Sequence, residues 1–134
     1  MKKIFFVLLV GVFFMITAYP HIIALGSDTP QPWRTITAGE ARRIMAESDN
    51  YILLDVRTEA EFRERRIPGA ILMPVTEISS RAEAELPDKD ALILLYCQSG
   101  RRSASAAASL AALGYSNIHD LGGINSWPYE VVRE

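Results

Sequence analysis

The segment from residue 91 to 103, ALILLYCQSGRRS, constrains the fold more than any other part of this chain of 134 residues. Residues 91 to 96 are apolar throughout, which is typical of a strand covered on both faces of a parallel sheet. A short loop follows and begins at Cys97. Residues 102 to 113 are rich in Ala and Leu and precede Gly114, a pattern that predicts a helix ending there. A strand, a tight loop and a helix in this order favour an α/β fold.

The remaining strands and helices also alternate along the chain. The four-residue patterns that begin at Thr37 and Thr58 are capping boxes and predict the starts of two helices. Short apolar segments predict strands at 51–54, 70–73 and 117–121, and a further helix is predicted at 76–85. We therefore expect an α/β domain whose parallel sheet has helices on both faces. Ligands bind at the carboxyl ends of strands in such sheets, and Asp55 and Cys97 both lie at such ends.

Residues 1–26 have the pattern of a leader rather than of a folded element. Lys2 and Lys3 precede an apolar run, and residues 24–26 (ALG) resemble a signal-peptidase site. We expect a cleaved signal peptide and export to the bacterial periplasm or cell envelope. The alternative is an inner-membrane anchor with the domain outside, because residues 4–25 are long enough to span a bilayer. Residues 27–34 are expected to form a linker, 35–130 the folded domain and 131–134 a C-terminal tail.

Charge and cysteine content argue against several classes of protein. Lys2 and Lys3 are two of the 14 basic residues, so 12 basic and 16 acidic residues remain without the leader, a formal charge of −4. This balance argues against a nucleic-acid partner. Cys97 is the sole cysteine of the sequence, which excludes a disulfide within the chain, and no Cys/His cluster indicates a zinc site. We expect no metal and no cofactor.

The loop after Cys97 has the composition of an anion-binding site. Free N–H groups of the loop and of the next helix turn can point at the sulfur, and the helix dipole adds positive potential. Gly100 permits a tight backbone conformation, and Arg101 and Arg102 add two positive charges. These features predict a lowered pKa for the Cys97 thiol. The alternative is that Cys97 is a small apolar residue at the end of a buried strand.

The segment from Cys97 to Ser103, CQSGRRS, resembles the active-site loop of rhodanese sulfurtransferases. The similarity continues in residues 53–57 (LLDVR), 59–62 (EAEF), 67–70 (IPGA), 114–115 (GY) and 121–127 (LGGINSW). The resemblance implies about five parallel strands and a Cys97 that accepts sulfane sulfur as a persulfide. The expected partners are a small anionic donor such as thiosulfate and a thiol or cyanide acceptor. The chain departs from the family at Arg66, where His is common.

The resemblance and the positions of the residues along the chain both give expectations for individual residues. The active-site loop is expected to comprise Cys97, Gln98, Ser99, Gly100, Arg101, Arg102 and Ser103. At least one of the two arginines is expected to contact the substrate anion or to fix the loop, since a cation is otherwise disfavoured at a helix start, and the alternative is a solvated arginine at the start of the helix. Asp55 either orients loop N–H groups or pairs with Arg57. Arg57 either lines the pocket entrance or forms a surface salt bridge with Glu59 or Glu61.

Two other functions fit parts of the pattern. Cysteine-dependent phosphatases need five residues and then Arg after the cysteine, whereas Ser103 holds the sixth position here and the loop is one residue too short. A non-catalytic module that binds a partner or senses oxidant or sulfur through the thiolate is the second alternative. His119 is expected to be structural, which argues against a Cys–His hydrolase. Trp33 and Trp127 are expected at the core edge or pocket rim. The protein is expected to be a monomer or a weak dimer. Contact with a membrane is expected solely through an uncleaved leader.

Overall fold

The structure is a computed structural model and describes residues 31–134. The expected leader (1–26) and the first part of the expected linker (27–30) lie outside the described residues. No helix within residues 31–134 combines the length and the apolar character needed to cross a membrane.

One sheet of five parallel strands forms the centre of the domain. The strands are β1 (Trp33–Thr35), β2 (Ile52–Asp55), β3 (Ile71–Leu72), β4 (Ile93–Cys97) and β5 (Ile118–Gly123). The helices are α1 (Ala38–Glu47), α2 (Glu59–Glu64), α3 (Ile78–Glu85) and α4 (Arg101–Ala112). The order across the sheet is β1-β5-β4-β2-β3, and every neighbouring pair is parallel. The predicted α/β class with five parallel strands is confirmed.

Strand β4 divides the core between the two faces of the sheet. Ile93, Leu95 and Cys97 pack in the cluster that contains the buried residues of α3 and α4. Leu94 and Tyr96 pack on the other face, in the cluster that contains residues of α1. All five residues of β4 are buried, as the continuous apolar run predicts for a central strand. Helices therefore cover both faces, and Cys97 lies at the carboxyl end of β4 on the face covered by α4.

Both chain ends of the described domain extend beyond the bounds expected from the sequence. Trp33 falls in the expected linker, yet it begins β1 and pairs with Ile118 of β5. This strand has three residues, two of them exposed, so it produces no apolar pattern. At the other end, Arg66 and Val132 exchange two backbone hydrogen bonds of 2.9 Å. The residues expected as a tail therefore pack on the domain.

The two predicted capping boxes are present. Thr37 N–H donates to Glu40 Oε2 over 2.7 Å, and Glu40 N–H donates to Thr37 Oγ1 over 3.2 Å. Thr58 and Glu61 make the same pair of hydrogen bonds, at 3.0 and 3.3 Å. The second box holds the Glu61 carboxylate at the start of α2, where it also contacts the candidate active site.

A bulge in β5 shapes the backbone beside Cys97. Leu95 pairs with Asp120 but Cys97 pairs with Gly123, so β5 contains one more residue than β4 over this stretch. Gly122 has a φ of 79°, in the left-handed region that glycine adopts without strain. Its N–H donates to the buried carboxylate Oδ1 of Asp120 over 2.8 Å, which fixes the bulge.

Candidate active site

Cys97 ends a strand, and its loop turns back toward the sulfur within three residues. Gln98, Ser99 and Gly100 connect β4 to α4, which begins at Arg101. Gly100 has a φ of 104°, and its N–H donates to Cys97 Sγ over 3.0 Å. The loop therefore presents a backbone donor to the sulfur, and the N-terminus of α4 lies at the same loop, where its first N–H groups have no helical partners.

Two opposing effects act on the Cys97 thiol. Burial raises its pKa, whereas hydrogen bonding from the Ser103 hydroxyl and from the N–H groups of Ser103, Gly100 and Ser99 lowers it, and the net result is a lowered pKa. The Ser103 hydroxyl also lies 3.0 Å from the Gly100 carbonyl oxygen and 3.3 Å from that of Gly122. The Cys97 sulfur and these two carbonyl oxygens compete for the single hydroxyl proton of Ser103. The backbone N–H groups therefore donate to the sulfur more consistently than this hydroxyl does.

Gly123 allows the end of β5 to lie directly against the loop. A Cβ at this position would overlap the Gln98 carbonyl oxygen and lie 2.6 Å from Ser99 Cα. A Cβ on Gly100 would lie 3.4 Å from Gly122 Cα. Gly122 and Gly123, the last two residues of β5, therefore support the loop through backbone contact.

Asp55 and Arg57 form a buried ion pair at the end of β2. Their side chains are 0% and 1% exposed, and Arg57 donates from Nη2 to Asp55 Oδ2 over 2.6 Å and from Nε to Oδ1 over 2.9 Å. Burial lowers the pKa of Arg57, but the hydrogen bonds and charge of Asp55 raise it by more. The structure has the pairing of Asp55 with the Arg57 guanidinium, and Asp55 Oδ1 also accepts from the backbone N–H of Arg57, in the loop after β2, over 3.0 Å. The surface salt bridge considered for Arg57 with Glu59 or Glu61 is wrong, because its guanidinium is inside the protein.

Arg57 connects this ion pair to the loop through Gln98. Its Nη1 donates to Gln98 Oε1 over 3.0 Å, and its Nη2 donates to the carbonyl oxygen of Arg65 over 2.6 Å. Gln98 Nε2 in turn donates to Asn125 Oδ1 over 2.7 Å, and Arg65 Nη2 donates to the same oxygen over 3.0 Å. This network holds the residue that directly follows the cysteine. Asn125 and Arg65 are site residues that the sequence did not reveal.

The two arginines of the loop differ in their surroundings. Arg102 donates from Nη1 and Nη2 to the two carboxylate oxygens of Glu61, over 2.8 and 2.7 Å. These hydrogen bonds and those from Thr58 lower the pKa of Glu61 to about 2, against the effect of burial, so the carboxylate is ionised at neutral pH and compensates Arg102. Arg101 is exposed, and no carboxylate of residues 31–134 lies within 4 Å of its guanidinium.

The other residues considered from the sequence lie away from the sulfur. His119 pairs in register with Leu94, on the face of the sheet opposite Cys97, and its Nε2 lies 2.9 Å from Asn117 Oδ1. Trp33 and Trp127 pack against the edges of the two core clusters. A cavity of about 280 Å³ near Trp127 does not include Cys97. The described part of the chain holds no cluster of three or more potential metal ligands.

Arg66, the departure from the family pattern, faces the C-terminal end. Its guanidinium lies 4.6 Å from the centre of the Phe62 ring, and its Nη2 lies 3.3 Å from Glu134 Oε1. Together with the backbone pairing to Val132, these contacts attach residues 132–134 to α2. The Arg66 charge is therefore directed at the tail rather than at the loop.

Comparison with known proteins agrees with this geometry. Residues 37–129 match the model of the Rhodanese-like domain. The chain is 32% identical over 71 residues to thiosulfate sulfurtransferase PspE of Escherichia coli (strain K12), which covers 53% of this chain and 68% of that protein. It is 39% identical over 84 residues to a sulfurtransferase of Allochromatium vinosum, which covers 62% of this chain and 77% of that one. A solved structure of a rhodanese with anions from E. coli superposes with a TM-score of 0.59 at 28% identity, covering 63% of this chain and 99% of that one.

The chain therefore belongs to the rhodanese-like family. The two relatives above are named sulfurtransferases, which supports sulfur transfer as its general activity. The resemblance seen in residues 97–103 and in the flanking motifs is confirmed.

Replacing Gly123 with Ala should displace the loop, because the new methyl group would overlap the backbone of Gln98 and Ser99. The loop N–H groups would then stabilise the thiolate less, and the pH midpoint for alkylation of Cys97 by iodoacetamide should rise by about one pKa unit, so that alkylation at a pH below the wild-type midpoint slows by about tenfold. Gly39→Ala is the matched control, because its Cβ would make ordinary contacts of 3.8 and 3.9 Å. A Gly123→Ala protein that is folded by circular dichroism and reacts at the wild-type rate would contradict this role.

Proposed function

We propose that the protein is a thiosulfate-type sulfurtransferase in which Cys97 carries sulfane sulfur as a persulfide. The observation that carries this proposal is a buried sulfur 3.0 Å from the Gly100 N–H, with a lowered pKa and the start of α4 beside it. The thiolate is the form of cysteine that attacks another sulfur. The E. coli relative is named a thiosulfate sulfurtransferase, and the similar E. coli rhodanese was solved with anions, which supports an anionic donor.

The proposed reaction has two displacements at sulfur. In the first, the Cys97 thiolate attacks the outer sulfur of thiosulfate, a bond forms between Sγ and that sulfur, and the sulfur–sulfur bond of the donor breaks. The electron pair of the broken bond leaves with sulfite. The persulfide accepts hydrogen bonds from the loop N–H groups that held the thiolate. In the second displacement, a thiol or cyanide attacks the outer sulfur of the Cys97 persulfide, and the Cys97 thiolate leaves.

The length of the loop supports sulfur rather than a phosphoryl group as its cargo. Three residues separate β4 from α4, and the sixth position after Cys97, where a phosphatase would have Arg, is the buried Ser103. The Ser103 hydroxyl points to the carbonyl oxygens of Gly100 and Gly122. Ser103 therefore supports the loop from inside the protein, and no guanidinium stands at this position to bind a phosphate.

We also propose that residues 1–26 export the domain to the periplasm or cell envelope. The support is the order of Lys2 and Lys3, an apolar run and the small residues Ala24 and Gly26. Sequencing of the mature N-terminus from the native host should begin at Ser27. An intact Met1 in the membrane fraction would identify an anchor instead, and an intact Met1 in the cytosol would contradict export.

Replacing Cys97 with Ser should abolish formation of thiocyanate from thiosulfate and cyanide, because a serine hydroxyl is not ionised at neutral pH. The fold should be retained, since the two side chains are of similar size. Wild-type protein treated with thiosulfate should gain one sulfur atom, about 32 Da, in intact-mass spectrometry, and the variant should gain none.

Two results would contradict the proposal. One is turnover by the Cys97→Ser protein at the wild-type rate. The other is wild-type protein that gains no sulfur from thiosulfate, which would favour a binding or sensing module. Hydrolysis of an aryl phosphate by the wild type would favour the phosphatase alternative.

A further inference from the structure

Two of the four arginines next to the Cys97 loop are compensated by carboxylates. Arg57 is paired with Asp55 inside the protein, at 2.6 Å. Arg102 is paired with Glu61 through two hydrogen bonds, at 2.8 and 2.7 Å. Each guanidinium therefore faces an opposite charge that reduces its attraction for a third, anionic group.

The other two arginines, Arg65 and Arg101, keep an uncompensated charge. In the part of the chain that the structure describes, no carboxylate oxygen lies within 4 Å of either guanidinium. Arg101 is exposed on the first turn of α4. Arg65 is half-buried, and its Nη2 donates to Asn125 Oδ1 over 3.0 Å, an oxygen of a neutral amide. Arg65 is therefore both uncompensated and held in place, as an anion-binding residue must be.

Asn125 brings the Arg65 guanidinium to the residue beside the cysteine. The oxygen that accepts from Arg65 also accepts from Gln98 Nε2 over 2.7 Å, and Asn125 N–H donates to the Gln98 carbonyl oxygen over 3.2 Å. The main chain of Arg65 is held as well, because its carbonyl oxygen accepts from Arg57 Nη2 over 2.6 Å. Both ends of Arg65 are thus attached to groups that hydrogen-bond Gln98.

We propose that Arg65, positioned by Asn125, binds the anionic group of the sulfur donor and so selects negatively charged donors. This inference rests on the proposed function of Cys97. One of the five N–H donors of a guanidinium is used by Asn125, which leaves four for oxygens of the sulfonate-like end of thiosulfate. The loop N–H groups then hold the sulfur that is transferred, and Arg65 holds the group that leaves as sulfite.

Two variants separate the charge of Arg65 from its structural contacts. Arg65→Gln removes the charge. Asn125→Asp keeps an oxygen that accepts from both Arg65 and Gln98 but adds a carboxylate that compensates the guanidinium. Arg63→Gln is the matched control, because this arginine lies two residues earlier and pairs with Glu59 and Glu134 at the surface.

The first readout is the KM for thiosulfate, which should rise about fivefold in Arg65→Gln and Asn125→Asp, as expected for one partly exposed charge-assisted contact. The value of kcat should change little, and Arg63→Gln should behave as the wild type. The second readout compares alkylation of Cys97 by the anion iodoacetate and by neutral iodoacetamide. The ratio of the two rates should fall in both site variants, while the iodoacetamide rate stays at the wild-type value.

The outcomes separate this inference from the proposed function. An unchanged KM and an unchanged rate ratio in Asn125→Asp would overturn the role of Arg65, and so would an equal fall in both alkylation rates, which indicates a disturbed loop. Wild-type protein that gains no sulfur from thiosulfate would refute the proposed function. The iodoacetate-to-iodoacetamide ratio would still report whether Arg65 attracts anions to Cys97.

Discussion

The conformation of three residues between a strand and a helix determines what the Cys97 sulfur can do. The Gly100 N–H reaches the sulfur because the chain reverses at a left-handed glycine, with α4 beginning at the next residue. That reversal needs space, which the bulge in β5 and the missing side chain of Gly123 provide. The buried carboxylate of Asp120 in turn stabilises the bulge. The site is therefore made mainly of backbone, supported by a sheet whose central strand ends at the cysteine.

Hydrogen-bond donors lower the pKa of the Cys97 sulfur most, because the nearby guanidinium groups of Arg57 and Arg102 are compensated by carboxylates. Removing Asp55 and Arg57 from water is costly, and their close pairing offsets that cost. The pair links the end of β2 to Gln98, so it holds the loop instead of contacting a ligand. Glu61 likewise compensates the charge of Arg102, and the two hydrogen bonds between them hold α2 against α4. The groups left free to attract an incoming anion are the loop amides and the uncompensated guanidinium groups of Arg65 and Arg101.

Local patterns in the sequence predicted the elements that depend on local interactions. The apolar run of β4, the capping boxes at Thr37 and Thr58 and the loop at Cys97 are all set by residues within a few positions of one another. The polar network was missed because its hydrogen bonds join residues far apart, 41 positions between Arg57 and Gln98 and 60 between Arg65 and Asn125. The partner of Arg102 was missed because Glu61 had a sufficient local explanation in its capping box, although a carboxylate has two oxygens and serves both roles.

The pH dependence of Cys97 alkylation tests the central claim, that hydrogen-bond donors of the loop lower the pKa of this buried sulfur. The rate with iodoacetamide follows the thiolate fraction, so its midpoint in the folded protein should lie below the midpoint of the same protein unfolded in urea. Gly123→Ala displaces the loop whose N–H groups donate to the sulfur and should move the folded midpoint upward, toward the unfolded one. A folded midpoint at or above the unfolded midpoint would mean that burial outweighs the loop donors, and it would contradict the account.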